Sequence, residues 1–532
     1  MRVVVDLTKC EGYAQCAFAA PDVFTMRGDE ALMYDPDPSD AVRVLRAAAA
    51  CPVGAIQMES ADGPPRPAAT ITGDGPGATL NRTGRIVIVG ASLAGLRAAE
   101  TLRSEGFRGY LTLIGDEPHE PYDRPPLSKQ ALTGAVSPEH TTLPRRLDVD
   151  AQWRLGVAAT GLDRVGKRVR LADGAQVDFD RLLIATGVRA RPWPNAAEAA
   201  LDGVLVLRTN EDAGRLRARL AAKPARVLVV GAGFTGSEVA SCCRQLGIPV
   251  TVAELGPSPL VSALGGVIGA IAADVQRDNG VDLRCGVRVT ALEGDADGRL
   301  HAARLSTGDT IDVEVAVVAL GSIRNVEWLQ GSGLAVGHWG LACDTGCRVF
   351  DINGLVTDDV FVAGDVARAP HPIFGYQFVT LEHWGNAQAQ AEVAAHNMIS
   401  TETNRWPNLA MPIFWSNQFG INIKSIGVPP IADQVAITQG SVAQRRFVAT
   451  YGYKGRIVAA VSFNQGRWLD FYQGLIDRAA PFPLTFDTVD QPTQRQAVAA
   501  GFPERTFPAH DATVVVTGHE PSERRATLIQ SS

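Results

Sequence analysis

The sequence predicts an α/β fold built on two Rossmann-like units, and three observations carry that expectation. First, RIVIVGASLAG from Arg85 and RVLVVGAGFTG from Arg226 each read as a buried strand, a glycine turn and the start of a helix. Second, further apolar strand patterns, YLTLIGDE, IPVTVAE and DDVFVAGDVA, follow at intervals that leave room for helices, as a parallel sheet requires. Third, the glycine turns stop beyond Trp406. There RRFVATYGY and GRIVAAVSF read as strands and WLDFYQGLIDRA as a helix, which predicts a separate C-terminal α+β domain.

Length and composition agree. At about 150 residues per domain, 532 residues suggest roughly three to four domains. With 20% charged and 46% apolar residues, the chain has the balance of a globular enzyme and not that of a disordered or fibrous protein. A net charge of −7 spread over this length leaves no basic footprint, so no nucleic-acid partner is expected. No apolar run of membrane-spanning length and no secretory leader pattern occur, so the expectation is a soluble, cytoplasmic protein with no membrane partner.

The expected organisation is a small α+β module over 1–60 and a Pro/Gly-rich linker over 61–83. A first dinucleotide domain follows in two parts, 84–200 and 322–406, with a second dinucleotide domain inserted at 201–321 and the C-terminal domain at 407–532.

Of eight cysteines, Cys10, Cys16 and Cys51 crowd into the first module, and Cys51 is followed at once by proline. In a reducing compartment that pattern suggests metal rather than disulfides, and closely spaced thiolates with a distant Cys-Pro suit an iron–sulfur cluster. Tyr13 stands where a four-iron ferredoxin carries its middle cysteine, so three thiolates suit a 3Fe-4S cluster; the plainer alternative is three buried thiols. The module carries nine acids against five bases, which either steers a basic partner or is an ordinary solvated surface.

In the first unit Gly90 and Gly95 let a backbone approach a pyrophosphate at the helix N-terminus, with Ser92 in place of the middle glycine. Asp116, at the end of the next strand, can hold an adenosine ribose, and Asp365, after DDVFVAG, can accept hydrogen bonds from a polyol chain. The second unit has all three glycines, Gly231, Gly233 and Gly236. Its following strand ends at Glu254, where a carboxylate binds ribose hydroxyls and repels a 2′-phosphate, so NADH is favoured over NADPH. No cysteine lies between Cys51 and Cys242, and Cys242 and Cys243 are adjacent on a helix, so a redox disulfide beside the first unit is excluded. These two and Cys285 are expected to be small buried hydrophobes.

PYDRPPLSK (from Pro121), LLIATG (from Leu182), VFVAGD and LEHWGNAQAQA resemble the flavin-binding signatures of the bacterial ferredoxin and rubredoxin reductases, over about residues 84–480. The resemblance implies that Ala94, Asp116, Lys129, Ala159, Arg208, Asp365 and Trp384 contact FAD. It also implies that Lys129 and Glu238 sit beside flavin and nicotinamide as a pair assisting the proton at flavin N5. Glu238, one turn into its helix, is otherwise explained by the helix dipole alone. Residues 1–60 resemble the single-cluster ferredoxins that serve monooxygenases. Together these imply a reductase that passes electrons from NADH through FAD to its own cluster and on to an oxygenase, a haem-thiolate monooxygenase first and a Rieske dioxygenase second. An NADH oxidase and a flavoprotein with a binding or signalling role are the rival readings. Trp415 matches an aromatic position near the family's electron exit, or is a core tryptophan; His383 is expected to be a packed helix histidine.

Overall fold

The computed structural model describes residues 76–138, 141–371 and 374–485 without a break, with short pieces of the first 60 residues and three strands beyond residue 485. Two open parallel sheets form its centre. The first runs in the order Arg348–Phe350, Val356–Val362, Arg181–Ile184, Arg85–Val89, Tyr110–Ile114, Gln152–Arg154, parallel throughout except for the first pair. Strand Arg85–Val89 is buried at four of five positions because β-branched side chains fill both faces of a sheet covered on both sides. The second sheet, Val204–Leu205, Val315–Val318, Val227–Val230, Val250–Glu254, Asp282–Cys285, is parallel throughout.

The chain crosses from the first sheet to the second and back at a two-stranded ribbon, where Val188–Ala190 pairs antiparallel with Ser322–Arg324. On one face of the first sheet, helices Leu93–Ser104 and Trp384–Ile399 pack through Ala98, Ala99, Ala391, Ala394 and Ala395, whose small side chains let two backbones approach closely. A residue from each end of the first domain therefore reaches the same place.

The C-terminal domain is α+β, as expected: strands Ile413–Gln418, Ile421–Gly427, Arg456–Phe463, Arg446–Tyr453 and Gln434–Ser441 form an antiparallel sheet extended by Ala497–Ala499 and covered by helix Leu469–Asp477. Phe447 and Phe463 stack at 4.6 Å in its core, each such side chain contributing roughly 1.5–3 kcal/mol by burial. Tyr451 donates a hydrogen bond to the carbonyl of Leu264 at 2.8 Å, tying this sheet to helix Val261–Asp278 of the second nucleotide domain. In the N-terminal module, Arg2–Val5 pairs antiparallel with Ile56–Glu59 and Phe24–Arg27 with Glu30–Tyr34, around buried Val3, Val5, Phe24, Val44 and Ala47.

One boundary differs from the sequence expectation. The stretch read as linker ends in a helix, Pro76–Thr83, whose Asn81 carbonyl accepts from the Arg108 amide. That contact with the first domain is what a composition-based reading does not contain.

Candidate active site

The two glycine turns are built alike. Gly90 and Gly231 have φ of +119° and +100°, and each donates its amide to the neighbouring strand, to Ile114 and Ala253, at 2.8 Å. A Cβ at either would sit 2.1 or 2.5 Å from a carbonyl oxygen of the strand beyond, Ala185 or Ala319, so only glycine fits. Gly95 and Gly236, expected among the cofactor contacts, do not line the cavity. A Cβ on either would strike the carbonyl of Gly90 or Gly231 at 1.9 or 2.0 Å, so their work is to seat the helix against the turn.

Both turns open onto one cavity of about 1320 Å³, above the ~300–1,000 Å³ usual for a small-molecule pocket. Gly90, Ala94, Asp116, Lys129, Ala159, Arg208, Gly231, Gly233, Glu238, Glu254, Asp365 and Trp384 all line it. A Cβ on Gly233 would meet no atom within 4 Å, leaving open space at the N-terminus of helix Phe234–Gln245 where an anion fits. Ser92 precedes helix Leu93–Ser104 in extended conformation with no side-chain cap, so that helix start faces the cavity too. Two residues lining the cavity, His383 and Trp415, each have an enclosed ring nitrogen, Nδ1 and Nε1, with no protein partner, as polar ligand groups would require. These features fit two bound dinucleotides.

Several residues pair in ways the sequence did not indicate. Arg208 and Asp365, both expected to face FAD, form an ion pair at 2.8 Å, so the carboxylate is neutralised before any ligand arrives. Glu254 accepts from the amides of Ala232 and Gly256, each at 2.6 Å, which anchors it beside the second turn. Asp116 is exposed at the cavity rim.

At the joint of the two nucleotide domains, Lys129 Nζ lies 3.0 Å from Glu238 Oε2; the two residues are 8% and 4% exposed. Lys129 also donates to the Pro125 carbonyl at 3.1 Å, Ser128 donates to the same Glu238 oxygen, and Ser416 donates to the other at 2.5 Å. Ser128 and Ser416 belong to two different domains and were not among the residues expected from the sequence.

Three expectations are corrected. His383 is not inside a helix: it immediately precedes helix Trp384–Ile399, lines the cavity and lies 5.0 Å from the Phe414 ring. Burial pushes its imidazole down to about 4, so it is neutral at physiological pH. Trp415 is not a core tryptophan but lines the cavity, edge-on to Trp384 at 6.2 Å. Cys285 is half-buried, whereas Cys242 and Cys243 are buried, and burial raises both of their thiols. Among the described residues no group of three or more His, Cys, Asp and Glu is placed to hold a metal. Of the expected cluster ligands, Cys16 is buried in the N-terminal module, while Cys10 and Cys51 lie outside the described residues.

Asp123, also missed from the sequence, accepts from Trp384 Nε1 at 2.8 Å. Burial pushes its carboxyl from the usual 3.8 to about 6, only partly offset by that hydrogen bond and by the charges of Lys129 and Arg97. The folded chain thus keeps a proton that the unfolded chain sheds between pH 3.8 and 6, and stability falls as pH rises through that window. Asp123→Asn keeps the acceptor without the charge. It is expected to stabilise the protein at pH 7 by about 1–2 kcal/mol, the gain fading as pH is lowered through the window. Thermal melts of both proteins at pH 7 and pH 5 check this.

Two nucleotide-binding folds facing one cavity, with an ion pair where they meet, define a flavoprotein oxidoreductase that uses a pyridine nucleotide. Comparison with known proteins agrees. Residues 84–391 match the model of the pyridine nucleotide-disulphide oxidoreductases, residues 413–493 that of the reductase C-terminal domain, and residues 5–58 that of the 4Fe-4S single cluster domain of ferredoxin I. The ferredoxin–NAD(+) reductase component of the p-cumate 2,3-dioxygenase system of Pseudomonas putida is 38% identical over 64% of this chain and 81% of its own length. The corresponding component of the anthranilate 1,2-dioxygenase system of Burkholderia cepacia is 35% identical over 74% and 94%. Among solved structures, the covalent putidaredoxin reductase–putidaredoxin complex superposes with a TM-score of 0.70 at 30% identity, covering 75% of this chain and 94% of the matched one. The chain belongs to the pyridine nucleotide-disulphide oxidoreductase family, among its ferredoxin–NAD(+) reductases. Among the described residues, no helix is long and apolar enough to cross a membrane.

Proposed function

We propose that this chain is an NADH-dependent reductase fused to its own ferredoxin, carrying electrons from NADH by way of FAD and a 3Fe-4S cluster to an oxygenase. The observation that carries the reading is the convergence of both glycine turns and the Lys129–Glu238 pair on one cavity, in a chain whose residues 5–58 match a single-cluster ferredoxin. Bound flavin supplies the conversion a hydride donor and a one-electron cluster need between them, since it takes up electrons in pairs and releases them singly.

The chain's own residues supply binding, orientation and proton control. The helix start after Ser92, with Ala94, would hold the FAD pyrophosphate and Asp116 its adenosine ribose, while Asp365, already neutralised by Arg208, would hold the polyol chain. Ala159 and Trp384 would complete the flavin side. Gly233 leaves room for the NADH pyrophosphate, and Glu254 would hold the adenosine ribose and disfavour a 2′-phosphate. Lys129, held by Glu238, would set a buried positive charge beside flavin N5, where it would favour arrival of the hydride and could take the N5 proton when the flavin gives its electrons up.

Cys10, Cys16 and Cys51 would ligate the cluster. The antiparallel register that sets Val5 opposite Ile56 supports this, because the chain leaves and returns at one end of that sheet, five residues from Cys10 and five from Cys51. A covalent tether holds the two modules at an effective concentration on the order of millimolar, which favours transfer between them.

The acceptor we favour is a haem-thiolate monooxygenase, from the resemblance of the ferredoxin module. A Rieske dioxygenase is the second reading, favoured by the dioxygenase systems to which the two quoted relatives belong. An oxidase reading lacks the flavin-side cysteine such chemistry needs, Cys242 being a buried thiol.

Anaerobic titration with NADH, followed by absorbance and electron paramagnetic resonance, tests the relay. Flavin and cluster should both be reduced, with a three-iron signal present before NADH and lost on reduction. A bleached flavin beside a cluster that stays oxidised would refute internal transfer.

A further inference from the structure

The Glu238 carboxylate meets hydrogen-bond donors at both of its oxygens. On Oε2 it meets the Lys129 ammonium at 3.0 Å and the hydroxyl of Ser128. On Oε1 it meets Ser416 Oγ at 2.5 Å, from strand Ile413–Gln418 of the C-terminal domain, 178 residues away in sequence. Ser416 is completely buried, and its oxygen accepts from Gln418 Nε2 at 3.2 Å. A serine hydroxyl has one proton and two acceptor sites; Gln418 fills one of the acceptor sites, and the proton is given to Glu238 Oε1. Period-two alternation puts Phe414, Ser416 and Gln418 on one buried face of the strand, toward helix Phe234–Gln245 that carries Glu238. The same interface is pinned a turn further on, where Ser241 Oγ accepts from the Phe419 amide at 2.7 Å.

An ionised carboxylate accepts at both oxygens, whereas a protonated one must turn an O–H toward one of them. Here each oxygen already faces a donor proton. We propose that Ser416 is a positioning residue for the Lys129–Glu238 pair: its hydroxyl fixes one Glu238 oxygen so that the other stays turned to Lys129. The C-terminal domain thereby enters the proton chemistry of the nucleotide site through a residue that does not itself line the cavity. This inference rests on the acid–base role assigned to the pair above.

The experiment is the pH profile of flavin reduction by NADH in the purified flavin-loaded protein, by anaerobic stopped flow. Removing one hydrogen bond to a charged group makes the anion harder to form. Ser416→Ala should therefore move the acidic limb to higher pH by about one unit and slow reduction about tenfold on that limb. Ser416→Thr, which keeps the hydroxyl, should restore the parent profile, and Gln418→Leu should shift it the same way by less. At equilibrium, the pH at which the flavin midpoint potential changes slope should move upward with Ser416→Ala, a readout that packing alone would leave in place.

A Ser416→Ala profile superimposable on the parent, with Glu238→Gln strongly slowed, overturns the positioning role and leaves the pair standing. Parent-like profiles in both variants overturn the pair's role and the inference with it. If Ser416→Ala does not retain flavin, Gln418→Leu decides, and an unshifted profile there overturns the inference.

Discussion

Glu238→Gln should slow the reduction of bound flavin by NADH about a hundredfold at neutral pH, the lower end of what a positioned acid–base group contributes. Glutamine matches the shape of glutamate and can still accept from Ser416 at one oxygen, but it has no charge with which to hold the Lys129 ammonium 3.0 Å away. Both side chains are buried, so the variant also takes the ion-paired carboxylate from a buried cation, with Asp123 the charge that remains near it. Removing one partner of a buried pair costs at most about 3–5 kcal/mol, which should appear as a lower melting temperature. Stopped-flow bleaching of the flavin measures the first effect and thermal denaturation the second. An unchanged rate beside a lowered melting temperature would make the pair a structural ion pair and nothing more.

The other large effect is expected at the opposite end of the chain. Cys51→Ser should remove the cluster altogether, because three thiolates are the minimum the proposed 3Fe-4S core uses and serine is a poor substitute for thiolate sulfur. Iron and acid-labile sulfide should fall toward zero while flavin content and NADH-driven reduction of ferricyanide stay as before. Delivery of electrons to an oxygenase should be lost. Retained oxygenase turnover in the cluster-free protein would show that the first sixty residues are not on the electron path.

The two predictions sit at different distances from what could be read in the chain. The cysteine prediction needs only local facts: Cys10 and Cys16 close together, a distant Cys51-Pro52, and the chemistry of iron with sulfur. The glycine turns were equally legible, since a positive φ against a neighbouring strand admits no Cβ and so leaves its mark at single positions such as Gly90 and Gly231. Gly95 and Gly236 were legible by the same motif, but close packing of the helix on the turn, which the folded chain shows at both, asks for glycine as much as ligand contact does.

Identity, then, was written locally: the strand and turn patterns of two nucleotide folds, a cysteine-bearing module in front of them, and a carboxylate, Glu254, at the end of the strand after the second turn. The convergence was not. Ser128, Glu238 and Ser416 meet from three domains; Ser128 lies inside the PYDRPPLSK motif, but nothing in the motif says that it faces Glu238, and Ser416 stands in no such pattern, while His383 and Asp123 acquire their shifted protonation only from what surrounds them. Periodicity and turn chemistry act over a few residues, whereas burial and ion pairing depend on which distant segments the packed domains bring within about 3 Å, and only the tertiary structure decides that.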